Sequence, residues 1–259
     1  MVEKQRILPG DQDESYFVSM TDLMVGMLFI FIIMLMAFAL NYREAQQTQA
    51  DINEELTGAR KARDRMLEDI RKVLHEQGVR VEIDRENGVL RLGADLLFER
   101  GRSTLSEPGR KLIGHVSQAL WIVLPCYADF GSVARSDNCP KFKGGRLEAV
   151  FIEGHTDSDR YAEGAGKDNW ILSAERAIST FKEIIGNHPE LDAALNDTGQ
   201  NLIGVSGYEA RRPTPRRRGQ SEEEQKRADR RIDLRFIMVS PKPPPQLATE
   251  KALEENTSK

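Results

Sequence analysis

The sequence predicts an α+β protein with three successive parts: a single N-terminal transmembrane helix, a helical stalk and an α/β sandwich domain. Three observations carry this. An uncharged apolar run lies near the N-terminus, a charged stretch with apolar residues at alternating four- and three-residue steps follows it, and short β-type runs then alternate with helix-periodic ones. The chain has 259 residues and a formal net charge of −4, with a mean hydropathy of −0.50. That length suits one ordinary domain with appendages or two small domains. The mild acidity gives no global electrostatic case for nucleic acid. Two cysteines, Cys126 and Cys139, are too few for a disulfide scaffold or a structural zinc site. A single disulfide stays open if the region lies in an oxidising compartment.

Leu23 to Leu40 carries no charge. At a rise of ~1.5 Å per residue this run covers ~27 Å, enough for a bilayer core, and a start at Tyr16 extends it to ~37 Å. The span is therefore set at 16–41. The competing reading is a cleaved signal peptide with Ala37-Phe38-Ala39 at the cleavage site. Against it, the run is longer than a usual signal core, the flank before it is acidic, and no lipidatable cysteine follows. Lysine and arginine near the span do not decide its orientation.

Asp22 stands at the start of the apolar run, in SMTDLMVGMLF. One reading makes it an interfacial residue that helps cap the helix start after Thr21. The other makes it a carboxylate roughly 9 Å along a helix that enters at Tyr16. An ionised carboxylate there costs several kcal/mol unless it is paired, hydrated or protonated, so exchange between charged and neutral forms becomes feasible. A lone helix has no walls for an ion path, so a further membrane protein must supply them.

Residues 42–77 read as the stalk. Ile52, Leu56, Ala59, Arg63, Met66, Ile70 and Val73 follow a heptad seam with one charged interruption, which points to pairing with a second copy. The alternative is one long amphipathic helix lying on its own domain. Residues 78–240 read as the domain. Val79, Val81 and Ile83 alternate, Asn87-Gly88 turns, and Val89 to Leu92 returns as a hairpin. Helices are expected over 105–124 and 172–185, and strands over 149–154, 202–207 and 232–239. Residues 241–259, rich in proline, read as a disordered tail.

Four ordered motifs lie within residues 79–240. They are LFERGRSTL from Leu97 with Gly109, IEGHTD from Ile152, NWILSAERA from Asn169, and Gly207-Tyr208-Glu209 with Pro213 and ADRRI from Ala228. Together they resemble the OmpA-like peptidoglycan-binding domains. The resemblance implies that Asp157 pairs with the ammonium of a stem-peptide diaminopimelate and Arg176 with its carboxylate. Such a zwitterion needs an anion and a cation at fixed separation, and arginine supplies a rigid fork. It also implies that Asn169 and Leu172 shape the pocket, with Arg230 nearby. Asp229 stands where these domains usually carry asparagine. The stretch from Cys126 to Arg146 is longer than their usual link. Because peptidoglycan lies in the oxidising periplasm, the resemblance predicts a Cys126–Cys139 disulfide pinning that stretch.

His155 lacks partner ligands at metal spacing and is expected to be structural, with no metal or cofactor called for. Arg211, Arg212, Arg216, Arg217 and Arg218, followed by Glu222, Glu223 and Glu224, read first as a solvated loop balanced by its own acids, with contact to an anionic glycan or lipid as the functional option. No nucleophile–base pair appears, so no enzyme is read.

Span, acid, stalk and wall-binding domain together resemble the MotB family, and the span resembles still more closely the MotB-like subunits of the Zorya anti-phage systems, the ZorB family. That resemblance implies a homodimer inside a ring of a MotA-like multi-span partner of the ZorA type. It places residues 1–15 in the cytoplasm and the chain from about 42 in the periplasm, with Asp22 as the proton carrier. The alternatives are a flagellar-type stator and a passive tether between inner membrane and peptidoglycan.

Overall fold

The computed structural model describes residues 11–131, 139–159 and 168–241, with side chains from Met20 onward. Beyond Pro241, the predicted tail lies outside the described residues. The chain divides after Asn53 into two compact units. Helix α1 runs Asp11–Glu76. It is the one described helix long and apolar enough to cross a membrane, and none of its apolar window is buried by the described residues. Leu23, Phe29 and Met34 keep between 61% and 67% of their surface exposed. So much contiguous apolar surface requires lipid or another protein to cover it. Because α1 has begun by Asp11, Asp22 lies ~16 Å inside the helix and does not cap its start.

The second unit runs Glu54–Pro243, so the latter part of the predicted stalk belongs to the domain. Ala62, Met66, Ile70 and Leu74 form a four-residue ridge which, joined by Leu67, is fully buried in the domain core. This corrects the paired seam over that stretch and matches the amphipathic alternative. A side chain at Met66 or Ile70 packed into its own domain is not available to a second copy, whereas Leu56 stays 51% exposed. Arg63, the charged interruption, donates from Nη2 to the carbonyls of Arg85 and Glu86 at 3.1 and 3.2 Å, bracing the hairpin turn.

Strands β1 (Glu82–Asp84), β2 (Val89–Gly93), β3 (Leu147–His155), β4 (Ile203–Gly207) and β5 (Arg231–Met238) form one sheet in the order β1-β2-β5-β3-β4. Only β3 and β4 run parallel, and α4 (Asn169–Asn187) makes their crossover. Leu90, Ile152, Leu234 and Phe236 point from the sheet into the core with α3 (Glu107–Val123) and α4. On the alternate residues Arg91 and Glu153 both stand opposite Asp233.

Several boundaries differ from the periodicity for local reasons. α3 starts at Glu107 rather than 105 because Ser106 Oγ accepts the Gly109 N–H at 3.1 Å, while Leu105 bridges to Phe98. α4 starts at Asn169 because Asp168 caps it, accepting the Ile171 N–H at 2.9 Å. Two short helices, α2 (Ala94–Leu97) and α5 (Glu222–Asp229), were not expected. α5 falls in the stretch read as a solvated loop. It carries a capping box, with the Ser221 hydroxyl on the Glu224 N–H and the Glu224 carboxylate back on the Ser221 N–H. Gly154 lets β3 approach α4, since a Cβ there would collide with the Ser173 carbonyl.

The Cys126–Cys139 disulfide is present, with Cα atoms 5.2 Å apart. After it, the chain returns over the domain's own portion of α1. Lys143 pairs with Glu54 at 3.1 Å, and its carbonyl lies against Gly58. Substituting both cysteines by serine is expected to destabilise the domain by roughly 2–3 kcal/mol, the loop-closure term for a bridge of this span. Thermal unfolding of oxidised wild type and variant checks it, and equal midpoints would show that the loop holds its place unaided.

Candidate functional site

A pocket of about 810 Å³ opens where the end of β3, the start of α4, α2 with the loop after it, and α5 meet. Asp157, Asn169, Leu172, Arg176 and Arg230, all expected from the motifs, line it together. Asp157 is the second residue after β3. Its Oδ1 accepts the Asp159 N–H at 3.1 Å, closing a turn, and its Oδ2 accepts Arg230 Nη1 at 2.6 Å. Asn169 fixes the same turn from the first position of α4, donating from Nδ2 to the Asp157 and Asp159 carbonyls at 3.4 and 2.8 Å. Arg176, 4% exposed, donates from Nε to the Arg102 carbonyl at 2.9 Å. Its guanidinium lies 5.1 Å from the centre of the Phe98 ring.

Arg230 is more central than the motifs suggested. Besides Asp157, it binds Asp95 through a two-pronged fork, Nε and Nη2 each at 3.0 Å. The hydrogen bonds from Arg230 hold the Asp95 carboxyl below its usual range against the opposing effect of burial, and the same bonds raise Arg230. Asp95 escaped sequence reasoning because a four-residue helix leaves no periodicity to read. Five carboxylates, those of Asp95, Glu99, Asp157, Asp159 and Glu223, line the pocket against the guanidiniums of Arg100, Arg176 and Arg230. A lining that carries both carboxylates and guanidiniums, with the carboxylates in excess, suits a ligand bearing both an ammonium and a carboxylate.

On the opposite face of the sheet, Glu153, His155 and Asp233 bring ligand-capable atoms within 4.8 Å of one another. The donor set does not fit a metal ion. Both Glu153 oxygens accept from Arg235 at 2.8 Å, and the two Asp233 oxygens accept from Arg91 at 3.2 Å and Arg231 at 2.8 Å. A divalent cation would sit among three guanidiniums. His155, 1% exposed, instead stacks on Tyr208 with centroids 5.4 Å apart. Burial pushes its ring below the ordinary histidine range, outweighing the nearby Glu153. The Arg212 guanidinium lies 3.7 Å from the Tyr208 ring centre and 3.8 Å from Glu153.

Asp22 is the one charged residue between Met20 and Asn41, and it lies on an exposed face of α1. The carboxylate does not belong to the pocket, and its surroundings depend on what covers α1.

No protein-family model and no curated protein matches the chain. Among solved structures, it is similar to a MotB-like protein from Desulfovibrio vulgaris, with a TM-score of 0.49, 18% identity, and 70% of this chain and 97% of that chain covered. It is also similar to the cell wall anchor of the T6SS from Pseudomonas aeruginosa, with a TM-score of 0.45, 16% identity, and 66% and 97% covered. A periplasmic domain of Helicobacter pylori MotB gives a TM-score of 0.42, 18% identity, and 65% and 85% covered.

Proposed function

We propose that this chain is the wall-anchored, ion-carrying subunit of a MotA/MotB-like proton-driven motor of the Zorya type. The domain binds peptidoglycan in the pocket at the end of β3, in the periplasm. The apolar part of α1 crosses the inner membrane with its N-terminus in the cytoplasm. Asp22 carries the proton, inside walls supplied by a second copy and a surrounding MotA-like ring. The observation that carries the anchoring half is the convergence of Asp157, Asn169, Leu172, Arg176 and Arg230 on one pocket. These residues come from motifs far apart in the chain, and their charges complement a zwitterionic amino-acid end. Support for the motor half is the lone acid Asp22 in an apolar run that none of the described residues covers.

Asp157→Asn removes the carboxylate charge while keeping the side-chain shape, and Arg176→Gln removes the guanidinium and its charge. Each is expected to weaken binding of the detergent-solubilised full chain to purified sacculi by about tenfold or more, the usual worth of a hydrogen bond to a charged group. Co-sedimentation measures it. Wild-type retention by both variants would remove the pocket from the anchoring role.

A further inference from the structure

Across α5 from the pocket lies a groove of about 700 Å³ between the β1–β2 hairpin and the 214–220 loop. Seven arginines and three carboxylates line it. Asp233 and Glu68, behind the wall, offset Arg91 and Arg85 at 3.2 and 2.9 Å. Positive charge remains in excess at the mouth. Arg80 and Arg216 have no acidic partner within ion-pair distance among the described residues, and Arg216 reaches only the Gln220 carbonyl at 3.3 Å. Arg217 crosses the groove to Glu82 at 2.8 Å, with 78% and 53% of the two side chains exposed. So exposed a pair is weak and exchanges readily for a ligand anion.

The pocket and the groove share one wall. Glu223 of α5 and the adjoining Arg230 line the pocket, whereas Arg227 and Ala228 line the groove. Arg227 Nε lies 3.9 Å from Oδ2 of Asp95, which belongs to the pocket. A helix with its side chains is ~10–12 Å across, a distance that a polymer with repeated carboxylates readily spans.

We propose that this groove is a second anion subsite, which takes carboxylates of the same wall polymer whose zwitterionic end occupies the pocket. The proposal rests on the reading of the pocket as a peptidoglycan site. Guanidinium forks match carboxylates, and the groove abuts the pocket over a single helix.

The test uses the full chain in detergent, with Arg216→Glu/Arg217→Glu beside Asp157→Asn. At low salt the double variant binds purified sacculi roughly fivefold more weakly than wild type, as the loss of two exposed charge contacts implies. The difference shrinks as salt rises. Binding of a monomeric stem-peptide fragment, which reaches only the pocket, is unchanged. If the double variant retains wild-type sacculus binding at low salt while Asp157→Asn loses it, the subsite is wrong and the pocket reading stands. Failure of wild type itself to bind sacculi overturns both. If the double substitution leaves sacculus binding intact but removes binding to vesicles of anionic phospholipid, the groove faces a membrane and the assignment to wall polymer is overturned.

Discussion

Asp22→Asn is expected to abolish ion-driven activity while leaving the protein in the membrane and assembled. Asparagine keeps the size and polarity of the side chain but cannot take up and release a proton. The substitution lies ~16 Å inside α1, in the unit that does not hold the domain core, so folding and the proposed wall binding are expected to stay as in wild type. The readouts are proton uptake by vesicles containing the chain and the co-expressed MotA-like protein proposed as its partner, protection of cells against phage, and co-purification of the two proteins. Wild-type activity in the variant removes the carrier role and leaves a passive tether. Loss of co-purification would instead make Asp22 an assembly residue. A second observable separates a defence motor from a flagellar one, since only the former protects against phage in a cell that does not swim.

Arg235→Ala is expected to destabilise the domain by about 3–5 kcal/mol, the cost of breaking a buried pair from one side. Arg235 holds both oxygens of Glu153, whose side chain is 2% exposed. Without it, Glu153 keeps only His155 and Arg212 among the described residues, each at 3.8 Å. Burial alone would push the Glu153 carboxyl up, but His155 and Arg235 beside it bring it down to about 2. The unfolded chain therefore binds the Glu153 proton more readily than the folded one. The stabilisation, roughly 3 kcal/mol, is complete above about pH 4.5 and is lost as the pH falls toward 2. His155, lowered by burial, acts in the same direction from about pH 6.5 downward. In Arg235→Ala the acid loss assigned to Glu153 flattens, because its lowered state has lost a main support. Thermal unfolding of both proteins across pH 3 to 7 tests this. Equal midpoints at neutral pH would mean that the pair is not what keeps this layer folded. Replacing both partners with apolar residues, as in Glu153→Leu/Arg235→Met, should recover much of the stability.

The two predictions depend on parts of the chain that were unequally legible. The apolar run around Asp22 is visible because a membrane span is a one-dimensional property of length and uninterrupted apolarity. The hairpin at Asn87-Gly88 is legible because its turn and alternation are local, and Gly88 adopts the left-handed φ of 67° that such a turn favours. The five pocket residues could be named from the resemblance of the motifs to OmpA-like domains. Their pairing could not, because Arg230 meets Asp157 across 73 positions and Asp95 across 135. α5 did carry a signal that went unused. Ser221 followed by Glu224 is a capping-box pattern, but without an apolar stripe it read as a solvated loop.

The sequence by itself determined the strands, the longer helices and which helix can enter a membrane, because periodicity and apolar length are recorded locally along the chain; the pocket residues followed from the resemblance of its motifs to OmpA-like domains. Tertiary structure alone decided which face of α1 the domain buries. It also decided that Arg230 links Asp157 to Asp95, and that Glu153, His155 and Asp233 form an arginine-saturated layer instead of a metal site. The reason is physical: a charge or an apolar face acquires its partner only when distant segments fold together, and several partners were available to each.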